Sequence, residues 1–468
     1  MERAEIQRMP KVKSTLIRGG TVVGERRVSR QDILIRGETI AQVATGSAGP
    51  ADEVVDAEGL LVFPGAVDPH VHFNDAFMGT VSVHDFFTGT RAAAFGGVTT
   101  VIDFSNQIPG RSLRHTLEDK HEEAEGKALV DWGVHPVITR ASSETLSEIP
   151  LLVESGAPTI KCYMTYRSEG LMMEEEGLKS ILERLKDSGG MLLVHAEDNT
   201  LIEANVPSLI SAGSTAPIFH ARSRPPETED RAIRRIIRIA REAGGRVFVV
   251  HLASAGGLEL IRRARREGVD IHCETCTHYL AFTESMLERK DGIKWICSPP
   301  LRTQPIQDDL WAGLAAGDIA LVSSDDAAYS WQAKLMGKDR FDRCPNGIPG
   351  IEVRLPLLHS LGVSRGRISL IRMVELISAA PARLFGLYPK KGSISKGSDA
   401  DLVLFDPRER WVMGRKTLHM AADWSAYEGI EITGRIRRVY SRGELIVDHG
   451  ICLAEAGRGR YLHRKIEA

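Results

Sequence analysis

The chain has 468 residues, enough for a barrel of about 250 residues together with a second, smaller module. Its 60 Lys and Arg nearly balance 62 Asp and Glu, a formal charge of −2 that gives no electrostatic pull toward nucleic acid or an anionic membrane and leaves small-molecule chemistry as the expected class. No uninterrupted apolar run reaches membrane-spanning length, and the opening MERAEIQRMPKVKSTLIRGG is charged throughout with no apolar secretory core, so a cytoplasmic enzyme is expected.

The start reads as short strands separated by turns, at 16–23, 32–37 and 40–43, with no helical periodicity between them. The far end returns to the same texture at 397–405 and 436–447. Both termini, 1–64 and 390–468, are therefore expected to build one small β-sandwich, with 386–398 as the return linker. Between them, in 65–389, apolar strand-like runs alternate with amphipathic helical stretches such as 175–188 and 229–243, the βα pattern of a parallel sheet. Eight runs, at 65–72, 98–104, 130–138, 158–164, 190–196, 246–252, 270–275 and 319–325, favour a closed (β/α)8 barrel of the TIM type. A further apolar run at 293–298 also has strand character.

Five of these strands end in a possible metal ligand, and in barrels of this kind chemistry sits at the carboxyl ends of the strands. The first ends Asp68-Pro69-His70-Val71-His72; residues two apart on an extended chain share a side, so His70 and His72 can grip one cation. Then come Lys161, His195, His251 and Asp325, each at the end of its own run. A lone strand-end histidine is more often a hydrogen-bonded structural residue, but the set together points to metal. Lys161 lies inside the apolar run 158–164, where an unpaired ammonium is costly; it must pair, lose its charge or be chemically changed. Cys273 and Cys276 are the only close pair among six cysteines, and without a second pair they read as structural thiols.

The segments DPHVHF (68–73), TIKCYMTY (159–166), LLVHAED (192–198), VVHLAS (249–254), CETCTHYL (273–280), CSPPLR (297–302) and NGIPGIE (346–352), with the tail PARLFGLYPKKGSISKGSDADLVLFDP (381–407), resemble dihydropyrimidinases and hydantoinases of the binuclear metal-dependent amidohydrolase superfamily. The resemblance spans nearly the whole chain. It implies a cyclic amidohydrolase with two divalent ions per subunit, zinc foremost, held by His70, His72, Lys161 as N6-carboxylysine, His195, His251 and Asp325. It implies Asp325 as general base and acid, Tyr166 polarising the substrate carbonyl, and Ser298 and Asn346 holding the cyclic amide. It also implies a homotetramer whose C-terminal segment reaches a neighbour. Two departures stand out. Hydantoinases usually carry His directly after the late Asp, where this chain has Asp325-Asp326-Ala327, and parts of 72–100 look like allantoinases instead. An allantoinase and a noncatalytic hydantoinase-like assembly protein are thus the alternatives. Loops 73–80, 104–111 and 162–173 offer Phe73, Phe77, Met78, Phe104, Ile108, Tyr163, Leu171 and Met172, an apolar set suited to a hydrocarbon or aromatic ring substituent.

Overall fold

The computed structural model describes residues 13–46 and 48–467; the charged opening, 1–12, lies outside the described residues. Eight parallel strands run at Ala66–Val71, Val98–Asn106, Asp131–Val137, Thr159–Tyr163, Met191–His195, Arg246–Val249, Ile271–Cys276 and Leu321–Ser323, each paired with the next in sequence. Nearly all their residues are buried, which is why these runs are continuously apolar rather than alternating. The first and eighth strands meet through backbone hydrogen bonds from His72 N to Asp326 O (3.0 Å) and from Asp326 N to His70 O (3.4 Å). Across the same seam the buried Arg354 guanidinium donates to Val67 O and Val322 O, both at 2.9 Å, and Ser324 N donates to the Asp68 carboxylate at 3.2 Å.

Helices cover the outside. Glu175–Ser188 turns Leu178, Ile181, Leu182 and Leu185 inward, the i, i+3, i+4, i+7 stripe of an amphipathic helix. Pro226–Ala243 starts three residues before the expected 229, because a proline in the first turn has its φ preset and no N–H to leave unpaired. The run 293–298 is not a strand. Gly292–Trp295 forms a 3₁₀ turn and Ile296 and Cys297 follow in a loop; Ile293, Trp295, Ile296 and Cys297 are buried, which accounts for their apolar character without a strand.

The termini form one mixed nine-stranded sheet, knitted together where Leu61–Pro64 pairs antiparallel with Leu402–Val412, and it fits the expected small sandwich. The segment expected at 397–405 begins its strand only at Leu402. The one at 436–447 is two strands, Glu431–Ser441 and Glu444–Asp448, reversed at Arg442 and Gly443, which both have positive φ (45° and 74°) as a tight hairpin turn demands. Among the described residues no helix is long and apolar enough to cross a membrane.

The C-terminal segment lies against its own barrel. Trp132 N donates to Arg460 O (2.9 Å) and Leu462 N to Trp132 O (2.7 Å). Leu462 and Ile466 join Val67, Ile102 and Phe248 in the cluster that fills the barrel interior, and the fully buried Arg464 donates to Val134 O and Thr159 Oγ1. Sandwich and barrel are also joined by charge. Lys391 Nζ, in the linker, lies 2.6 Å from Asp131 and 2.9 Å from both Asp399 and Asp401. Burial opposes its charge, but the three carboxylates outweigh burial and hold its pKa above the ordinary lysine value. Lys391→Met is therefore expected to cost about 3–5 kcal/mol, because it strands buried carboxylates without their cation; urea denaturation measures it.

Candidate metal centre

His70, His72, Lys161, Tyr166, His195, His251, Ser298, Asp325 and Asn346 all line one cleft at the carboxyl ends of the barrel strands. The backbone is strained where they are presented. Tyr166, His251 and Asp325 have φ of 65°, 41° and 49°, left-handed conformations that cost non-glycine residues about 1–3 kcal/mol each and gather where a site over-determines the chain.

Asp325 Oδ1 lies 3.0 Å from His70 Nε2 and 3.4 Å from His72 Nε2, so these three ligand atoms converge. The His195 and His251 rings face each other with centroids 4.4 Å apart, and His251 is 5.5 Å from His70. Carboxylates back three of the four imidazoles. His70 Nδ1 meets Glu274 at 2.5 Å, His72 Nδ1 meets Asp75 at 3.0 Å, and His195 Nε2 meets Glu197 at 2.7 Å. Such partners orient a ligating ring and raise its basicity. Reading strand ends alone missed all three, although a carboxylate within an apolar strand (Glu274) or two residues past a strand-end histidine (Glu197) was a visible signal.

The electrostatics suit cations. Burial works against protonated His72, yet the hydrogen bonds it donates to Asp325 and Asp75 outweigh burial and push its pKa up to about 9; positive charge is wanted there. Burial likewise opposes ionised Asp325, but His70, His72 and His251 hold it well below the usual carboxylate range. His251 is driven well below the ordinary histidine value, first by burial and then by His195 and Lys161, and its buried Nδ1 has no hydrogen-bond partner among the described residues. Burial drags Lys161 down to about 8, offset in part by Asp325 and Glu274. Its amine stands 5.0 Å from the Phe104 ring centre and 5.1 Å from that of Tyr163. Four imidazoles, a carboxylate and an amine whose pKa burial has depressed, in one buried space, are a donor set that fits divalent ions.

Beside this cluster, Asn346 Nδ2 donates to Tyr166 Oη at 3.3 Å. Burial pushes the Tyr166 phenol up to about 12, so it remains a hydroxyl donor at neutral pH. His220 Nε2 lies 2.8 Å from Cys297 O and 3.3 Å from Ser298 Oγ, fixing the Ser298 loop. Cys273 and Cys276 are free thiols that, three apart on a strand, face opposite sides and cannot act as one clip. Cys276 and His278 approach Asp325, but burial holds the Cys276 thiol well above its ordinary value, which disfavours a thiolate ligand.

Of the apolar residues expected at the substrate, Phe77, Tyr163 and Leu171 line the cleft, joined by Tyr329. Phe73 is core, edge-on to Phe86, and Phe104 packs on the rings of His70 and His72. Met78 borders a neighbouring cavity, Met172 pairs by its backbone with Tyr163, and Ile108 is exposed.

A model of the amidohydrolase family matches residues 61–446. The chain belongs to the amidohydrolase family. Within it, this chain is 44% identical to a D-phenylhydantoinase of Escherichia coli O1:K1 / APEC over 455 residues, 96% of this chain and 98% of that one. The crystal structure of dihydropyrimidinase from Brevibacillus agri NCHU1002 aligns with a TM-score of 0.95 at 38% identity, over 97% and 99% of the two chains. D-hydantoinase from Bacillus sp. AR9 aligns at 0.95 and 39%, over 97% and 100%. In this amidohydrolase, burial and the neighbouring Arg224 depress His220 to about 3, so it folds neutral. The unfolded chain binds that proton below pH about 6.5, so stability falls as pH drops from there toward 3. Urea denaturation at pH 7 and pH 5 should show that His220→Gln lessens this loss by up to about 1.4 kcal/mol per pH unit.

Proposed function

We propose that this amidohydrolase hydrolyses the cyclic amide bond of a dihydropyrimidine or a 5-substituted hydantoin. The observation that carries the reading is the buried Lys161 amine, without a hydrogen bond or ion pair among the described residues, set between four imidazoles and Asp325 in one cleft. The names of the relatives, D-phenylhydantoinase, dihydropyrimidinase and D-hydantoinase, point to the same ring chemistry. On this reading the uncharged amine adds carbon dioxide and loses a proton, becoming an anionic carbamate. His70, His72 and Asp325 would hold one divalent ion and His195 and His251 the other, with the carbamate as a ligand they would share and zinc as the expected metal. When bound, the ions acidify water to hydroxide near neutral pH and polarise the ring carbonyl.

The remaining steps belong to the protein. Asp325 takes the proton of the attacking water and returns it to the ring nitrogen as the carbon–nitrogen bond breaks. The Tyr166 hydroxyl donates to the carbonyl oxygen as negative charge grows there. Ser298 and Asn346 hold the ring by backbone groups. We place the enzyme in the cytoplasm, as a homotetramer.

A noncatalytic role is disfavoured because the whole donor set is retained. Allantoin is disfavoured because its ureido group needs partners, while Asp75 and Asn106, polar residues of the cleft lining, already bond each other at 2.7 Å. Steady-state assays against dihydrouracil, 5-phenylhydantoin and allantoin should give kcat/KM at least about tenfold higher for the first two, the cost of one unsatisfied buried polar group; a preference for allantoin would overturn the choice of substrate. Lys161→Ala should lose bound metal and activity together, checked by metal analysis beside turnover, with added short carboxylates restoring part of the rate.

A further inference from the structure

Asp326, the acid standing where the resembling family usually has His, does not enter the cluster of ligands. Its side chain is fully buried. Oδ2 lies 2.6 Å from Nδ1 of His84, which is equally buried and 242 residues away, and Oδ1 accepts from Gly350 N at 2.7 Å and Ile351 N at 3.1 Å. The tautomer of His84 follows from its other nitrogen. Ala421 N donates to Nε2 at 3.1 Å, so Nε2 carries a lone pair and Nδ1 the proton given to Asp326. Every group in the chain Ala421–His84–Asp326–Gly350/Ile351 thus has a partner.

We propose that His84 and Asp326 are positioning residues that set the height of the 346–351 loop over the cleft. Adjacent side chains turn opposite ways here: Asp325 meets the histidines and Asp326 the loop. One peptide therefore fixes both the proton-carrying acid and, through Gly350 and Ile351, the segment whose Asn346 and Gly347 line the cleft. His84 adds a third element, because Asn74 N donates to its carbonyl at 2.6 Å, which ties in the loop that follows His72.

The inference rests on the cleft being the substrate site proposed above, so the test has a readout independent of turnover. Asp326→Asn leaves one acceptor oxygen where two are needed, so its NH2 confronts either the Nδ1–H of His84 or the N–H groups of Gly350 and Ile351, and His84 cannot switch tautomer without confronting Ala421 N–H. His84→Leu removes the donor, whereas His84→Gln keeps both a donor and an acceptor. The double variant His84→Asp/Asp326→His restores a carboxylate–imidazole pair in reverse. Hydrogen exchange on the metal-loaded full chain should be faster at Gly350 and Ile351 in Asp326→Asn and His84→Leu, and close to that of the parent in His84→Gln and the double variant. In the two disrupted variants KM should rise at least about tenfold, with metal content kept and kcat changed less. Unchanged exchange at 350–351, or a double variant as impaired as its worse parent, would overturn the proposal. If Asp326→Asn fails to fold, His84→Leu against His84→Gln decides it. A parent protein inactive on every cyclic amide would sink the proposed function and leave the exchange result standing.

Discussion

A barrel of eight strands has one joint that no short connection makes, between its first strand and its last. Here that joint holds together residues from opposite ends of the barrel sequence, and His70, His72 and Asp325 lie on its two sides. The hydrogen bonds from His72 N to Asp326 O and from Ser324 N to Asp68 therefore do more than close a sheet. They set the distance between an imidazole pair and the carboxylate that must meet them. Arg354 crosses the same joint to two backbone carbonyls and lies 3.8 Å from Asp68, a charge fully buried and answered on each side of the join. An opening of this seam would separate the converging atoms.

The rest of the centre follows from putting charge where water is excluded. Three of the buried imidazoles are answered by carboxylates: Glu274 behind His70, Asp75 behind His72, Glu197 between His195 and Arg224. Lys161 and Nδ1 of His251 have no such answer among the described residues, and burial lowers the pKa of both groups. The left-handed backbone at Tyr166, His251 and Asp325 adds a conformational cost of a few kcal/mol. The packed strands beneath offset that cost, since they leave these turns no cheaper path.

Much of this was legible in the sequence for a simple reason. Strands buried on both faces are unbroken apolar runs, and a histidine, lysine or aspartate at the end of such a run is conspicuous. The same rule misled at 293–298, where Ile293, Trp295 and Ile296 are apolar because they are buried and no strand partner exists to pair with. It also could not say which apolar loop residues face the cleft: Phe73 and Phe77 are four apart in one loop, yet one is core and the other lines the site. The supporting carboxylates were visible as residue types but not as partners. The pairing of His84 with Asp326 had no local signature at all, because the two meet only once the seam is closed.

The sheet built from both termini has a consequence for the order in which the molecule is made. Leu61–Pro64 finds one neighbour early, in Ser14–Val23, but its other edge is covered only by Leu402–Val412, and the barrel floor waits longer still for Leu462, Arg464 and Ile466. Throughout translation of the barrel the nascent chain thus carries an unpaired apolar strand edge, which is the template on which growing chains add the wrong partner.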